Sequence, residues 1–373
     1  MLNAPWIQRL RELPWLAILT IAALGGFGIV ILYSAAGGHF APWAIIHSIR
    51  FGVLMTAMLV ISQVNARLWL VYAYWFYAVV LVALVAVEIF GQIGGGSQRW
   101  LDLGFIRLQP SEFMKLAIIL ALARYYHNLP RPFIGTLNAL WPPLVLIGLP
   151  AALVMLQPDL GTALSIVFGG VVMMFLSGVS IWLFVGGGVA LVAAMPVAWS
   201  MLHDYQRKRV LIFMDPATDP LGAGYHITQS KIAIGSGGVF GKGYLQGTQS
   251  HLDYLPELHT DFIFATMAEE WGLAGGLFIL IGFGIVLGWA ISVALTSRAM
   301  FSRLAAMGLA ATLFFYLAIN MMMVMGLAPV VGIPLPLISY GGSAMMTVMI
   351  LLGIVMSIAR QRDADMLDRG NDR

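Results

Sequence analysis

The chain has 373 residues, of which 60% are hydrophobic and only 10% are charged. A soluble globular domain carries about 25% charged residues, so that class is excluded and a polytopic membrane protein is indicated. The formal net charge of +3 is small and no basic stripe interleaved with aromatics occurs, which removes nucleic acid as a partner.

Ten apolar stretches are candidates to cross the bilayer: 15–33, 43–61, 70–90, 110–123, 137–156, 162–176, 181–199, 262–295, 304–325 and 338–358. A hydrocarbon core of about 30 Å takes roughly 20 helical residues, and backbone in lipid must satisfy its own hydrogen bonds, so the fold class is all-α. The stretches at 110–123 and 162–176 are short for a full span. They should be shielded by other helices or reach water early.

Arg9, Arg11, Arg67, Arg124, Arg131, Arg298, Arg303, Arg360, Arg362, Arg369 and Arg373 all fall on one side of this ten-helix arrangement. That side is cytoplasmic by the positive-inside rule. Both termini are then inside, and the large loop of about 200–260, between the seventh and eighth helices, is outside. The basic start runs into an apolar stretch of full spanning length with further spans behind it, which reads as an uncleaved signal anchor. Residues 1–360 are expected to form one membrane domain, with residues 361–373 as a disordered cytoplasmic tail.

The first outer segment, 91–109, carries Gly91, Gly94, Gly95 and Gly96, which predict flexibility, then Arg99, Trp100, Asp102 and Arg107. It ends in Gln109-Pro110-Ser111-Glu112, a helix start with Pro in the first turn. The second outer segment holds Arg207, Lys208, Arg209, Lys231 and Lys242 among many glycines. Cations outside run against the positive-inside bias, so they suit an anionic ligand or partner, or lipid headgroups. The stretch from Gly235 to Gly243 lacks the leading Gly and the final Ser or Thr of a phosphate-binding loop, and Phe240 spoils a dinucleotide pattern. With no cysteine in the chain, the outer loop must be ordered by packing alone.

Within the spans, Glu112 and Lys115 stand three apart and hence on one helix face. They form either a structural ion pair, or a pair in which Lys115 meets an anionic group while Glu112 orients it. Arg50 and Glu88 read as snorkelling or interhelical side chains. Asp159, in Gln157-Pro158-Asp159-Leu160-Gly161, reads first as a turn or helix cap. Asp261 lies in His259-Thr260-Asp261-Phe262-Ile263-Phe264-Ala265, where an outer loop feeds a long apolar helix. A carboxylate at such a boundary is a functional candidate, with capping of the helix as the alternative. No two histidines have helical metal-ligand spacing and there is no Gly-x-Ser-x-Gly elbow, so neither a histidine zinc centre nor a serine hydrolase is indicated.

The segments Gln98-Arg99-Trp100-Leu101-Asp102-Leu103-Gly104, Gln109-Pro110-Ser111-Glu112-Phe113-Met114-Lys115, Gln157-Pro158-Asp159-Leu160-Gly161-Thr162, Leu255-Pro256-Glu257-Leu258-His259-Thr260-Asp261-Phe262 and Gly332-Ile333-Pro334-Leu335-Pro336-Leu337-Ile338-Ser339-Tyr340-Gly341-Gly342-Ser343 resemble the SEDS (shape, elongation, division and sporulation) proteins of bacteria. The stretch from Gly241 to Ser250 looks like the elongation type rather than the division type. The resemblance implies a peptidoglycan glycosyltransferase of the inner membrane. It would polymerise lipid II on the outer face beside a class B penicillin-binding protein. Asp261 matches the catalytic Asp of that family, and Glu112 with Lys115 its intramembrane pair.

Lipid II offers an α-linked pyrophosphate leaving group and the product linkage is β-1,4, so one inverting displacement suffices. Asp261 would act as its general base. Charge on the leaving group would be met by cations such as Arg99, Lys115, Arg209 and Lys242, or by a bound divalent cation, Mg or Mn. Gln109, Asp159, His259 and Thr260 complete the expected substrate-binding set. Two alternatives from other classes are a lipid II transporter, which two halves with matching broken helices would support, and a non-catalytic scaffold for the penicillin-binding protein.

Overall fold

The computed structural model describes residues 13–94, 97–102, 104, 107–201, 204–215, 219, 222–251 and 259–370. In chain order the main helices are α1 (Trp15–Ala35), α2 (Trp43–Ile61), α3 (Ala66–Phe90), α4 (Pro110–Asn128), α5 (Leu137–Leu156), α6 (Leu160–Leu176) and α7 (Ile181–Met201). The outer segment then contributes α8 (Asp204–Met214), α9 (Ala223–Gly237) and the single turn α10 (Thr248–His251). The last helices are α11 (Ile263–Thr296), α12 (Met300–Val324) and α13 (Gly342–Gly370). Each of the ten predicted apolar stretches coincides with one of the long helices. Seven of these are long and apolar enough to cross a membrane, while α6 is a shorter apolar helix and α7 is apolar over Ile181–Val197.

Helix α4 sits at the centre, packed against α3, α5, α6, α12 and α13. Its first-turn residues Pro110, Ser111 and Glu112, the run from Met114 to Ala123, and Tyr126 are all buried. The shielding expected for this short, polar-headed helix is therefore supplied by protein rather than lipid, and that permits its charged residues. Helix α7, by contrast, is exposed along nearly all its described length and shows its apolar side chains outward.

Three features differ from the sequence reading. The outer segment expected to be flexible forms a small antiparallel sheet of β1 (Gln92–Gly94), β2 (Ser97–Asp102) and β3 (Arg107–Leu108), in the order β1-β2-β3. The segment treated as one loop of about 200–260 carries α8, α9 and α10. Beyond Arg360, where a disordered tail was expected, α13 continues as helix to Gly370.

Helix α11 is broken at Gly272, whose φ of 59° and ψ of −153° belong to a region open essentially to glycine alone. The outer loop fills the break. Leu273 and Ala274 donate their freed N–H groups to Gly238 and Val239, while Lys242 and Gly243 donate to the carbonyls of Glu269 and Glu270. Every backbone group freed by the kink in this way must find a partner inside the membrane domain. A side chain at Gly241 would collide with Glu270, its Cβ 2.0 Å from that carbonyl oxygen. The glycines of this stretch thus serve a backbone-to-backbone contact, which ties residues 238–243 to α11 without a disulfide.

Candidate active site

Asp261 stands in a turn, one residue before the N-cap position of α11, which is Phe262. The N-cap residue itself offers no side-chain hydrogen bond to this helix. The residue is half-buried. Its backbone carbonyl accepts a 2.9 Å hydrogen bond from Nδ2 of Asn320 on α12, and the same amide donates to Ile333 O at 2.7 Å. Asn320 is buried, so this bridge fixes the turn to the segment between α12 and α13. The carboxylate lies against Gly332, where a methyl group would sit 3.4 Å from Oδ2.

The segment joining α12 to α13 is the scaffold of the site. Gly161, at the start of α6, touches it so closely that a Cβ there would be 2.6 Å from Val331 O. Gly28 on α1 meets it in the same way, 2.8 Å from the Ile338 Cα. His47 on α2 approaches Leu337 O at 3.2 Å through Nε2, and Tyr340 N–H donates to His259 O at 2.9 Å. The buried Leu337 is held at a φ of 66°, a conformation that persists only where the surroundings over-determine it.

His259 stacks on Trp43 at 4.3 Å with rings nearly parallel, and meets Tyr340 at 5.9 Å. On Tyr340 rests the Arg50 guanidinium, 5.1 Å from the ring centroid. Arg50 is exposed and belongs to no ion pair among the described residues. The sequence reading takes Arg50 as a snorkelling or interhelical side chain; its contact with Tyr340 joins it to the ring stack on His259. Thr260 is half-buried in that turn.

The Asp159 carboxylate caps α6, accepting from Thr162 N at 3.2 Å and Thr162 Oγ1 at 2.9 Å. It also accepts from Gln109 Nε2 at 3.1 Å and lies 3.7 Å from the Arg99 guanidinium, which additionally donates to the carbonyls of Gln157 and Pro158. Three residues expected at the site therefore form one cluster. That cluster adjoins the Asp261 turn through Val331 and Gly332.

Glu112, Lys115 and Tyr316 close on one another. The Lys115 ammonium is 2.6 Å from Glu112 Oε1 and 2.8 Å from the Tyr316 hydroxyl, which itself donates to Glu112 Oε2. The ammonium also lies over the Tyr316 ring at 4.3 Å. With exposures of 5%, 2% and 0% respectively, the three leave little room for a ligand. Lys242 is likewise engaged, at 2.7 Å from Glu269 Oε1 and 2.9 Å from Thr248 Oγ1. Glu269, fully buried, also accepts from the N–H groups of Thr248 and Gln249. Arg209 has its backbone in α8, but its side chain lies outside the described residues.

Beside this latch, the Tyr244 hydroxyl donates to Val30 O at 3.2 Å and its ring packs with Trp271 at 5.9 Å. Burial, aided by the nearby Glu270, pushes the Tyr244 phenol up, so it stays neutral as a donor. The sequence reading missed Tyr316 and Asn320, which look like ordinary helix residues. It also missed Glu269 and Glu270, two adjacent carboxylates in an apolar helix whose cost in hydrocarbon was the available signal.

The family described as "cell cycle protein", FtsW/RodA/SpoVE, matches residues 14–364 of the chain. The chain is 46% identical over 348 residues to the peptidoglycan glycosyltransferase MrdB of Escherichia coli (strain K12), covering 92% of this chain and 93% of that one. It is 34% identical over 361 residues to the probable peptidoglycan glycosyltransferase FtsW of Coxiella burnetii, covering 94% and 96%. Among solved structures it resembles a chain from work on coordination of polymerization and crosslinking by a peptidoglycan synthase complex, with a TM-score of 0.82, 32% identity and coverage of 94% and 98%. The rod shape determining protein RodA of Thermus thermophilus matches with a TM-score of 0.70 at 29% identity, covering 94% and 97%. The ordered motifs, the helix arrangement and these matches agree over nearly the whole chain: it belongs to the FtsW/RodA/SpoVE family, the SEDS proteins.

Proposed function

We propose that the chain polymerises lipid II into glycan strands on the outer face of the bacterial inner membrane during cell elongation, with Asp261 as general base. That it is a peptidoglycan glycosyltransferase follows from its family and its 46% identity to MrdB. The observation that carries the role of Asp261 is its setting. Its backbone is clamped by Asn320, and its half-buried carboxylate lies against the Gly332 segment. Held there, it takes the proton from the attacking 4-hydroxyl of the acceptor sugar while the diphosphate departs from the opposite face, giving inversion. Diphosphate is a good leaving group and needs no protonating acid.

It does need charge stabilisation. Arg50 is the cation best placed for this, since Lys115, Arg99 and Lys242 are each committed to a carboxylate. Those three shape the site rather than meet the leaving group. Among the described residues no three His, Asp or Glu side chains gather as a metal cage. A divalent cation would therefore be held chiefly by substrate phosphate oxygens and would add charge neutralisation at the diphosphate. Cross-linking falls to a class B penicillin-binding protein; the likeness to a chain of a peptidoglycan synthase complex supports an assembly of that kind.

The test is a purified chain in proteoliposomes with labelled lipid II and the partner's transpeptidase blocked. Glycan polymer is expected. Lipid II that crosses the bilayer unpolymerised would indicate the transporter reading, and neither transport nor polymer the scaffold. For sidedness, cysteine at the exposed Gln246 should react with an impermeant maleimide in spheroplasts, and cysteine at the exposed Arg298 only after lysis.

A further inference from the structure

At the far end of α11 from Asp261, the turn after α4, the ends of α6 and α11 and the start of α12 enclose a cavity of about 440 Å³. That size lies within the ~300–1,000 Å³ range of ligand pockets. Arg131 lines it from the turn between α4 and α5 and Arg303 from the start of α12, and among the described residues no carboxylate does. Both arginines are exposed, and neither has an ion pair or side-chain hydrogen bond among the described residues. Arg303 lies in the first turn of α12, whose N-terminus has no side-chain cap and so leaves N–H groups in need of an acceptor. Like charges facing one pocket repel unless an anion joins them. A guanidinium pair suits phosphate, which each fork can meet with two hydrogen bonds.

The remaining lining decides what carries that phosphate. Leu176, Leu295, Leu304 and Met307 make most of the wall apolar. A free phosphate ion would satisfy the arginines and leave that wall wet, whereas a phospholipid meets both at once. Basic pockets between spans at the cytoplasmic interface have this amphipathic character. We infer that this cavity binds an anionic phospholipid, its phosphate held by Arg131 and Arg303 and the start of an acyl chain laid on Leu295 and Met307. Nothing in this depends on the glycosyl-transfer mechanism.

The full chain, purified from membranes and exchanged into an equimolar mixture of phosphatidylglycerol and phosphatidylcholine, can be examined by native mass spectrometry for retained lipid. The wild type is expected to hold phosphatidylglycerol in preference. Arg131→Gln with Arg303→Gln should lose that preference, about fivefold for each charge removed, while Arg131→Lys with Arg303→Lys keeps most of it. Arg298→Gln removes a charge on the same face outside the cavity and should change nothing. Three results would each overturn the inference. They are undiminished preference in the double Gln variant, an equal loss in Arg298→Gln, and displacement of the lipid by millimolar inorganic phosphate, which would mark a site for a free anion.

Discussion

Two polar clusters of this protein are built on opposite plans. In the cluster of Glu112, Lys115 and Tyr316 every charge has a partner within the cluster and the whole is buried. Around Asp261 the backbone is pinned while the residue stays half-exposed, and Arg50, in the ring stack that runs from His259 through Tyr340, is exposed too. Burial with full satisfaction makes a scaffold, because a buried charge pair holds geometry as long as both members remain. Partial burial beside a fixed backbone suits a group that must be oriented and yet stay accessible. The position of α4 ties the two together: it presents the closed cluster to α12, which carries Asn320 as well as Tyr316.

The comparison breaks most severely at the closed cluster. Lys115→Ala leaves Glu112 charged and unpaired, which is expected to cost about 3–5 kcal/mol and to appear as lost membrane abundance and a lower melting temperature in detergent. Glu112→Gln with Lys115→Met removes both charges, and should recover abundance and polymerisation to within about tenfold of wild type. Recovery of abundance without polymerisation would move the pair into the substrate site.

The latch between the outer loop and α11 comes next. Glu269→Gln weakens a charge-assisted set of bonds to Lys242, Thr248 and Gln249, at a cost of about 1.5–3 kcal/mol. The expected readout is faster amide hydrogen exchange over residues 238–251, with α4 unchanged. Gly272→Ala strains the kink and drives a Cβ to within 2.4 Å of Gly241 N. It is expected to cost roughly 1–3 kcal/mol and to loosen the same loop.

The ten helices were legible because runs of apolar residues of spanning length have few other uses, and the cap at Asp159 because Asp before Leu-Gly-Thr is a local signal. Glu112 with Lys115 was legible from spacing alone. Their third member was not: Tyr316 lies 201 residues from Lys115, and nothing local marks a tyrosine as a hydrogen-bond donor to a distant pair. The kink at Gly272 was hidden for a related reason. Glycine is common in membrane helices, and only the loop that fills the break shows which glycine is bent. Lys242 was read as a ligand for substrate because its partner, Glu269, stands on another element and pairs with it only once the loop has docked.

Asp261→Asn separates scaffold from chemistry most directly, since it keeps size and polarity and removes only basicity. Its effect on stability should be the smallest of these, a few tenths of a kcal/mol at most, because Asn and Asp are close to equivalent in helix-start turns. Its effect on rate should be the largest, a fall of roughly 10² to 10⁴. The decisive measurement is the initial rate of glycan polymerisation from labelled lipid II by wild-type and Asp261→Asn protein, purified to equal amount with matching melting temperatures. The account predicts a variant that folds as the wild type does and makes almost no polymer; polymerisation within a few-fold of wild type would contradict it.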